Sequence, residues 1–284
     1  MAKTSFGPLV STMWLAEHLK DSNLRIVDAT YTVPGMGREA QAEFAQKRAI
    51  PGAVTFGIDD ISDKSNPLPH MLPTPEFFAE KVGALGLGSD DRIVVYDNTS
   101  MIGAPRVWWM FRVFGHDNVA ILDGGLAKWV KENRPLANKH TTPTAQRFKS
   151  QFKSHLVRDK KSIINNLKNK AEQILDARAA GRFNGTLPEL RPGMPSGHIP
   201  GSLNLPFGEI MDTDTGTFLS PEKIKERFVK AGVALDKPIA TSCGSGVTAC
   251  VLAVGLHLLG YSDVPVYDGS WSEWASDPKT AKAP

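Results

Sequence analysis

The chain has 284 residues, 41% hydrophobic and 22% charged, which is the composition of an ordinary globular protein long enough for two domains. Its formal charge of +3 is too small to mark nucleic acid as a partner, and no apolar run reaches the ~18 residues of a membrane span. Two cysteines, Cys243 and Cys250, form neither a disulfide framework nor a zinc or C-x-x-C redox spacing, so a reducing compartment is expected.

The stretch from Met1 to Val10 has no apolar h-region and no Arg-rich amphipathic pattern, which makes the cytoplasm the expected location. Further along, the chain begins a pattern that it later repeats. Ile26-Val27-Asp28-Ala29-Thr30 returns as Ile174-Leu175-Asp176-Ala177-Arg178, and Ile50-Pro51-Gly52-Ala53-Val54 returns as Ile199-Pro200-Gly201-Ser202-Leu203. Pro75-Glu76 matches Pro221-Glu222, and the run from Asp123 to Trp129 matches that from Asp268 to Trp274. A nearly constant separation of about 147 residues marks two copies of one domain and not a solenoid.

Within the first copy, Arg92-Ile93-Val94-Val95-Tyr96 reads as a strand, Ala104 to Phe114 as a helix and Val119-Ala120-Ile121-Leu122 as a strand. That alternation predicts an α/β fold, two tandem domains each built on a parallel sheet flanked by helices, with ligands beyond the carboxyl ends of the strands. The expected domains are 1–145 and 161–284, joined by a linker over 146–160, where loop-like Thr141-Thr142-Pro143-Thr144 has just interrupted the apolar periodicity. The Lys/Arg-rich stretch from Arg147 to Lys170 reads as solvated linker and first helix.

In the second copy, a strand ends at Asp176 and a Gly/Pro-rich loop runs from Ala180 to Gly193. Later, Pro238-Ile239-Ala240-Thr241-Ser242 reads as a buried strand and Ala249 to Leu259 as a buried helix, with Cys243-Gly244-Ser245-Gly246-Val247-Thr248 between them. At a strand-to-helix turn, successive backbone N–H groups converge near the positive end of the helix dipole, and both favour an anion. Cys243 is therefore expected to act as a thiolate nucleophile, with Gly244 and Gly246 letting the loop curl through positive φ. Cys250, inside the apolar helix, is expected in the core. A phosphatase loop would need an arginine six residues after the cysteine, where this chain has Ala249. The first copy has Asp97 at the position of Cys243, and a carboxylate carries no sulfane sulfur, so that copy is expected to be catalytically silent.

The Cys243–Thr248 loop, together with His198-Ile199-Pro200-Gly201 and the run from Tyr267 to Trp274, resembles the rhodanese-type sulfurtransferases over nearly the whole chain. The likeness is greatest to the branch that takes 3-mercaptopyruvate, whose loop reads C-G-[ST]-G-V-T. The resemblance implies sulfur transfer through a Cys243 persulfide, pyruvate release, and a thiol acceptor such as thioredoxin or a small thiol, with cyanide as an assay acceptor. It also implies that the first domain forms one wall of a cleft facing the Cys243 loop. No ligand set for a metal or organic cofactor is visible, and none is expected.

Arg182 and Arg191 match two substrate-binding arginines of that branch, and the planar guanidinium fork suits an α-keto acid carboxylate. Gly244, Gly246, Val247 and Thr248 are expected to contribute the loop's share of substrate binding. A proposed serine–histidine–aspartate relay of the family maps onto Ser245, His70 and Asp59, the last two offered by the first domain. Thiosulfate-specific relatives carry C-R-K-G-V-T, with two loop cations for a dianion; neutral Gly244 and Ser245 favour 3-mercaptopyruvate. A thiosulfate sulfurtransferase, or a persulfide carrier acting with a protein partner, remains the alternative. Trp108, Trp109, Trp129 and Trp271 are expected to pack, and His198 to serve a turn.

Overall fold

A computed structural model describes residues 7–33 and 36–284; residues 1–6, the start of the stretch read for targeting signals, lie outside them. The first repeat runs β1 (Leu9–Val10), α1 (Thr12–His18), β2 (Leu24–Asp28), α2 (Glu39–Lys47), β3 (Ala53–Thr55), α3 (Pro75–Ala84), β4 (Arg92–Tyr96), α4 (Gly103–Val113), β5 (Val119–Leu122) and α5 (Gly125–Lys131). The second follows as β6 (Val157–Arg158), α6 (Lys160–Asn169), β7 (Gln173–Asp176), α7 (Ala180–Phe183), β8 (Leu203–Asn204), α8 (Pro221–Lys230), β9 (Ile239–Ser242), α9 (Ala249–Leu258), β10 (Val266–Tyr267) and α10 (Ser270–Ser276).

Each repeat builds one five-stranded sheet, ordered β1-β5-β4-β2-β3 and β6-β10-β9-β7-β8, with every pairing parallel. Parallel strands covered by helices on both faces are buried on both faces, which is why the middle strands read as unbroken apolar runs. Ile93, Val94, Val95 and Tyr96 of β4 are fully buried. Helix starts repeat as well: Thr74 and Ser220 each cap a helix whose next residue is proline, with the hydroxyl oxygen accepting the N–H of Phe77 or Lys223.

The described residues fall into two compact units. One gathers residues up to 63, 72–153 and 213–217; the other gathers 64–71, 154–212 and 218–284. The stretch expected as a connector is engaged along its length. Gln146 N–H donates to Gly83 C=O, Gln151 and Lys153 N–H donate to Phe114 and Val113 C=O, and Phe148 joins the rings of Phe78 and Phe111. Residues 157–158 are strand β6. In the second unit Trp271, Trp274 and Tyr267 pack with Ile163, Ile174 and Ile199. The expected core tryptophans are buried, and the indole N–H groups of three find backbone acceptors, Trp108 on Val119, Trp129 on Pro135 and Trp271 on Pro195.

Asp97 follows β4 and is buried. Its Oδ1 accepts the N–H groups of Thr99 (3.0 Å) and Met101 (3.1 Å), and its Oδ2 accepts that of Ala104 (2.8 Å) at the start of α4. The loop thus fills its own ring of donors with its own carboxylate. Burial, helped by the like charge of Asp28, raises the Asp97 pKa above the usual carboxylate value against the pull of those three hydrogen bonds. A carboxyl whose folded pKa is raised takes up its proton in the native state first, so its penalty is present above the folded pKa and disappears below the unfolded one. Wild-type stability, measured by urea unfolding relative to Asp97→Asn, is therefore expected to rise on acidification through the carboxylate range; a pH-independent difference would contradict this.

Candidate active site

Strand β9 is the middle strand of the second sheet, and its last residue, Ser242, lies in register with Asp176 of β7. Cys243 follows at the carboxyl edge, the position from which open parallel sheets present ligands. Its backbone is anchored from the segment that opens α10. Cys243 C=O accepts the Trp271 N–H (2.9 Å), and Gly244 C=O accepts both the N–H (2.9 Å) and the hydroxyl (2.6 Å) of Ser272. Cys243 N–H donates to Ser270 Oγ (3.1 Å), whose own hydroxyl donates to Tyr267 C=O (2.7 Å). These bonds hold the loop while, among the described residues, the N–H groups of Gly244, Ser245, Val247 and Thr248 have no protein acceptor. The first repeat differs at this point, because there Asp97 occupies the donors.

The two loop glycines have different reasons. Gly246 takes φ 76°, as expected, whereas Gly244 does not enter the left-handed region. A Cβ on Gly244 would stand 3.1 Å from Arg182 Nη2, so glycine there admits a guanidinium against the loop. Cys243 is 1% exposed and Ser245 7%, which makes the thiol the floor of the site. Cys250 is buried in α9 with its Sγ 3.3 Å from Gly246 C=O, as its core assignment requires.

Arg182 sits on the single turn α7 and is clamped by Glu189, whose Oε2 accepts from Nε (3.1 Å) and Nη2 (2.5 Å). Glu189 Oε1 accepts from Arg178 Nη1 (2.7 Å), and Arg178 is locked in turn by both oxygens of Asp176, by Gly197 C=O and under the Trp271 ring, 4.6 Å from its centroid. Burial works against the Arg178 charge, but Asp176 and Glu189 overcome it and hold its pKa above the ordinary arginine value. Two carboxylates face two guanidiniums, so the network is neutral. Neither Arg178 nor Glu189 was singled out in the sequence, since their pairing with Asp176 and Arg182 depends on how the loop folds.

Arg191 Nη2 lies 3.4 Å from Ser245 Oγ and 3.2 Å from His70 Nε2. A guanidinium only donates, so in this contact Nε2 is the acceptor. His70 was read as belonging to the first domain, yet residues 64–71 belong to the compact unit that holds Cys243. Of the three relay residues, the second unit therefore contains Ser245 and His70, joined through Arg191. Asp59 is exposed and belongs to the first unit, where its backbone C=O accepts the Ser62 hydroxyl. His198 stacks on Phe183 and pairs through Nδ1 with its C=O, the packing and turn role expected of it. No group of three or more His, Cys, Asp or Glu side chains suited to a metal ion occurs among the described residues.

A duplicated parallel sheet with one anion-seeking cysteine turn defines the class, and the comparisons agree. The rhodanese-like domain matches residues 11–132 and 159–277, and the chain belongs to the rhodanese-like family. It is 45% identical to human 3-mercaptopyruvate sulfurtransferase over 94% of this chain and 91% of that one. It is 44% identical to Arabidopsis thaliana thiosulfate/3-mercaptopyruvate sulfurtransferase 1, mitochondrial, over 95% of this chain and 76% of that one. Among solved structures, SseA from Escherichia coli, described as a 3-mercaptopyruvate sulfotransferase with the rhodanese fold, matches with a TM-score of 0.84 at 39% identity, covering 94% of this chain and 99% of that one.

Ser270 escaped the sequence reading. Its signal lay in the repeat, which places Gly125 at the same point with φ 56°, while Ser270 holds φ 48°. Both variants Ser270→Gly and Ser270→Ala lose the acceptor for Cys243 N–H, but only alanine also carries a Cβ into the left-handed region. Ser270→Ala is expected to be less stable than Ser270→Gly by about 1 kcal/mol in denaturant titrations. Equal stability of the two would remove the backbone-strain account.

Proposed function

We propose that this protein transfers sulfur from 3-mercaptopyruvate to a thiol acceptor, with Cys243 as the carrier. The Cys243 thiolate attacks the donor sulfur, a sulfur–sulfur bond forms, and the carbon–sulfur bond breaks. Its electron pair leaves on the three-carbon fragment as the pyruvate enolate, which takes a proton to become pyruvate. An acceptor thiolate then attacks the outer sulfur and returns Cys243 as thiolate. A small thiol or a thioredoxin fits the acceptor role, and cyanide can replace it in an assay.

The observation that carries this reading is the pair Arg182 and Arg191 beside an electrically neutral Cys243 turn. Two guanidiniums suit the carboxylate and carbonyl of an α-keto acid, while the uncharged Gly244 and Ser245 leave nothing in the loop itself for a dianion. The loop N–H groups of Gly244, Val247 and Thr248 favour the negative charge on a persulfide, and Gly246 supplies the turn that aims them. Ser245 Oγ, held by Arg191, is suited to polarise the donor, with His70 behind Arg191. The name of the human relative supports the same donor. Two free, buried cysteines favour a reducing compartment, for which we take the cytoplasm; no helix among the described residues is long and apolar enough to cross a membrane.

Intact-mass analysis with peptide mapping after brief exposure to 3-mercaptopyruvate is expected to show one added sulfur on Cys243, faster than with thiosulfate. Absence of the adduct with both donors would defeat the sulfur-carrier reading, and faster loading by thiosulfate would transfer the donor assignment to the alternative. Arg182→Ala and Arg191→Ala are expected to raise KM for 3-mercaptopyruvate on the order of tenfold or more, as loss of a charge-assisted pair does when it is common to ground and transition state. Ser245→Lys places a cation in the loop and is expected to move the kcat/KM ratio toward thiosulfate; an unchanged ratio would undo the charge argument.

A further inference from the structure

We propose that Glu189 is a positioning residue that holds the Arg182 guanidinium over the Cys243 turn and thereby sets affinity for the carboxylate of the sulfur donor. The proposal rests on the reading of Arg182 as a donor-binding group. Arg182 stands on a helix of one turn inside a Gly/Pro-rich loop, so nothing in its own backbone fixes a long side chain. What fixes it is a chain of ion pairs that begins and ends on the same sheet edge. Asp176, in register with Ser242 beside Cys243, grips Arg178; Arg178 grips Glu189; and Glu189 grips Arg182 against Gly244.

Exposure grades along this chain in the order a positioning device requires. The side chains of Arg178 and Glu189 are 1% and 2% exposed, whereas that of Arg182 is 17% exposed and so is the member able to meet a ligand. Glu189 Oε2 takes Nε and Nη2 of Arg182 from one side, and among the described residues Nη1 donates to no protein group. The guanidinium is therefore held by one edge with donors left over for a carboxylate. An acidic residue at this distance from an anion site would by charge alone weaken anion binding. Its two bonds to Arg182 and its burial away from solvent point instead to orientation as its contribution, and the two effects have opposite signs in a test.

Glu189→Gln retains shape and removes the charge that grips Arg182. KM for 3-mercaptopyruvate is expected to rise on the order of tenfold with kcat changed less than about twofold, the split expected when ligand placement is loosened and the chemical step is not. In an Arg182→Ala background the same substitution is expected to change KM by less than about twofold, since its partner is gone. An equal rise in both backgrounds would show a general structural effect and overturn the proposal. An unchanged or lower KM in the single variant would overturn it too, the lower value meaning that Glu189 acts only as an opposing charge. If Arg182→Ala itself leaves KM unchanged, the donor-binding reading of Arg182 fails first, and the two failures are thus told apart. Should Glu189→Gln not fold, Glu189→Asp keeps the charge facing Arg178 but draws it back by one methylene. With a native melting profile, that variant is expected to raise KM severalfold, and no change in it would overturn the proposal.

Discussion

Converging backbone N–H groups at a strand-to-helix turn need acceptors, and the two halves of this protein differ in how they supply them. A buried donor left without an acceptor costs about 1–3 kcal/mol, so such a turn is unstable until something fills it. In the first repeat the filler is internal: the Asp97 carboxylate takes three N–H groups within its own loop. In the second, cysteine replaces aspartate, the thiol has no oxygens with which to reach those donors, and four N–H groups of the loop have no acceptor among the described residues. The same fold thus closes one anion site with a side chain and leaves the other for a ligand or a sulfur anion. One difference at the end of a strand, aspartate against cysteine, separates the closed turn from the open one.

An open turn of this kind would collapse onto itself unless its backbone were held from elsewhere, and the α10 segment does this. The carbonyls of Cys243 and Gly244 and the N–H of Cys243 are bound by Trp271, Ser272 and Ser270, all consecutive. The first repeat uses the equivalent Leu126 N–H on Asp97 C=O, with Gly125 pressed so close to that carbonyl that a Cβ would stand 2.3 Å away. Ser270 accepts the left-handed backbone for which Gly125 is suited because its hydroxyl is needed on both Cys243 N–H and Tyr267 C=O. Strain at Ser270 is thus the cost of fixing the Cys243 backbone.

Much of this was legible in the residues because the governing signals are local. Unbroken apolar runs marked β4 and β9, constant spacing between repeated motifs marked two domains, and a cysteine followed by Gly-x-Gly marked the turn. What stayed hidden depends on pairings across a loop. Arg178 and Glu189 carry no motif that marks them, and only the fold reveals, through 1% and 2% side-chain exposure, that they form a buried clamp. His70 was assigned to the wrong unit because the stretch between β3 and α3 has no periodicity that shows which sheet it joins. Gly244 was read as a backbone requirement when the reason is the guanidinium of Arg182 pressed against it.

The buried ion network explains how two arginines can stand beside Cys243 without both being uncompensated charges. Isolated buried charges are costly, and removing one partner of a buried pair leaves the other uncompensated. Here Asp176 and Glu189 balance Arg178 and Arg182, while Arg191 meets His70 and Ser245 and has no carboxylate of this network on it. Guanidiniums beside the turn suit a donor carboxylate without any cation in the loop itself. Specificity on this view is a property of the whole charge balance around Cys243, in which Gly244 and Ser245 are neutral because Arg182 and Arg191 already stand beside them.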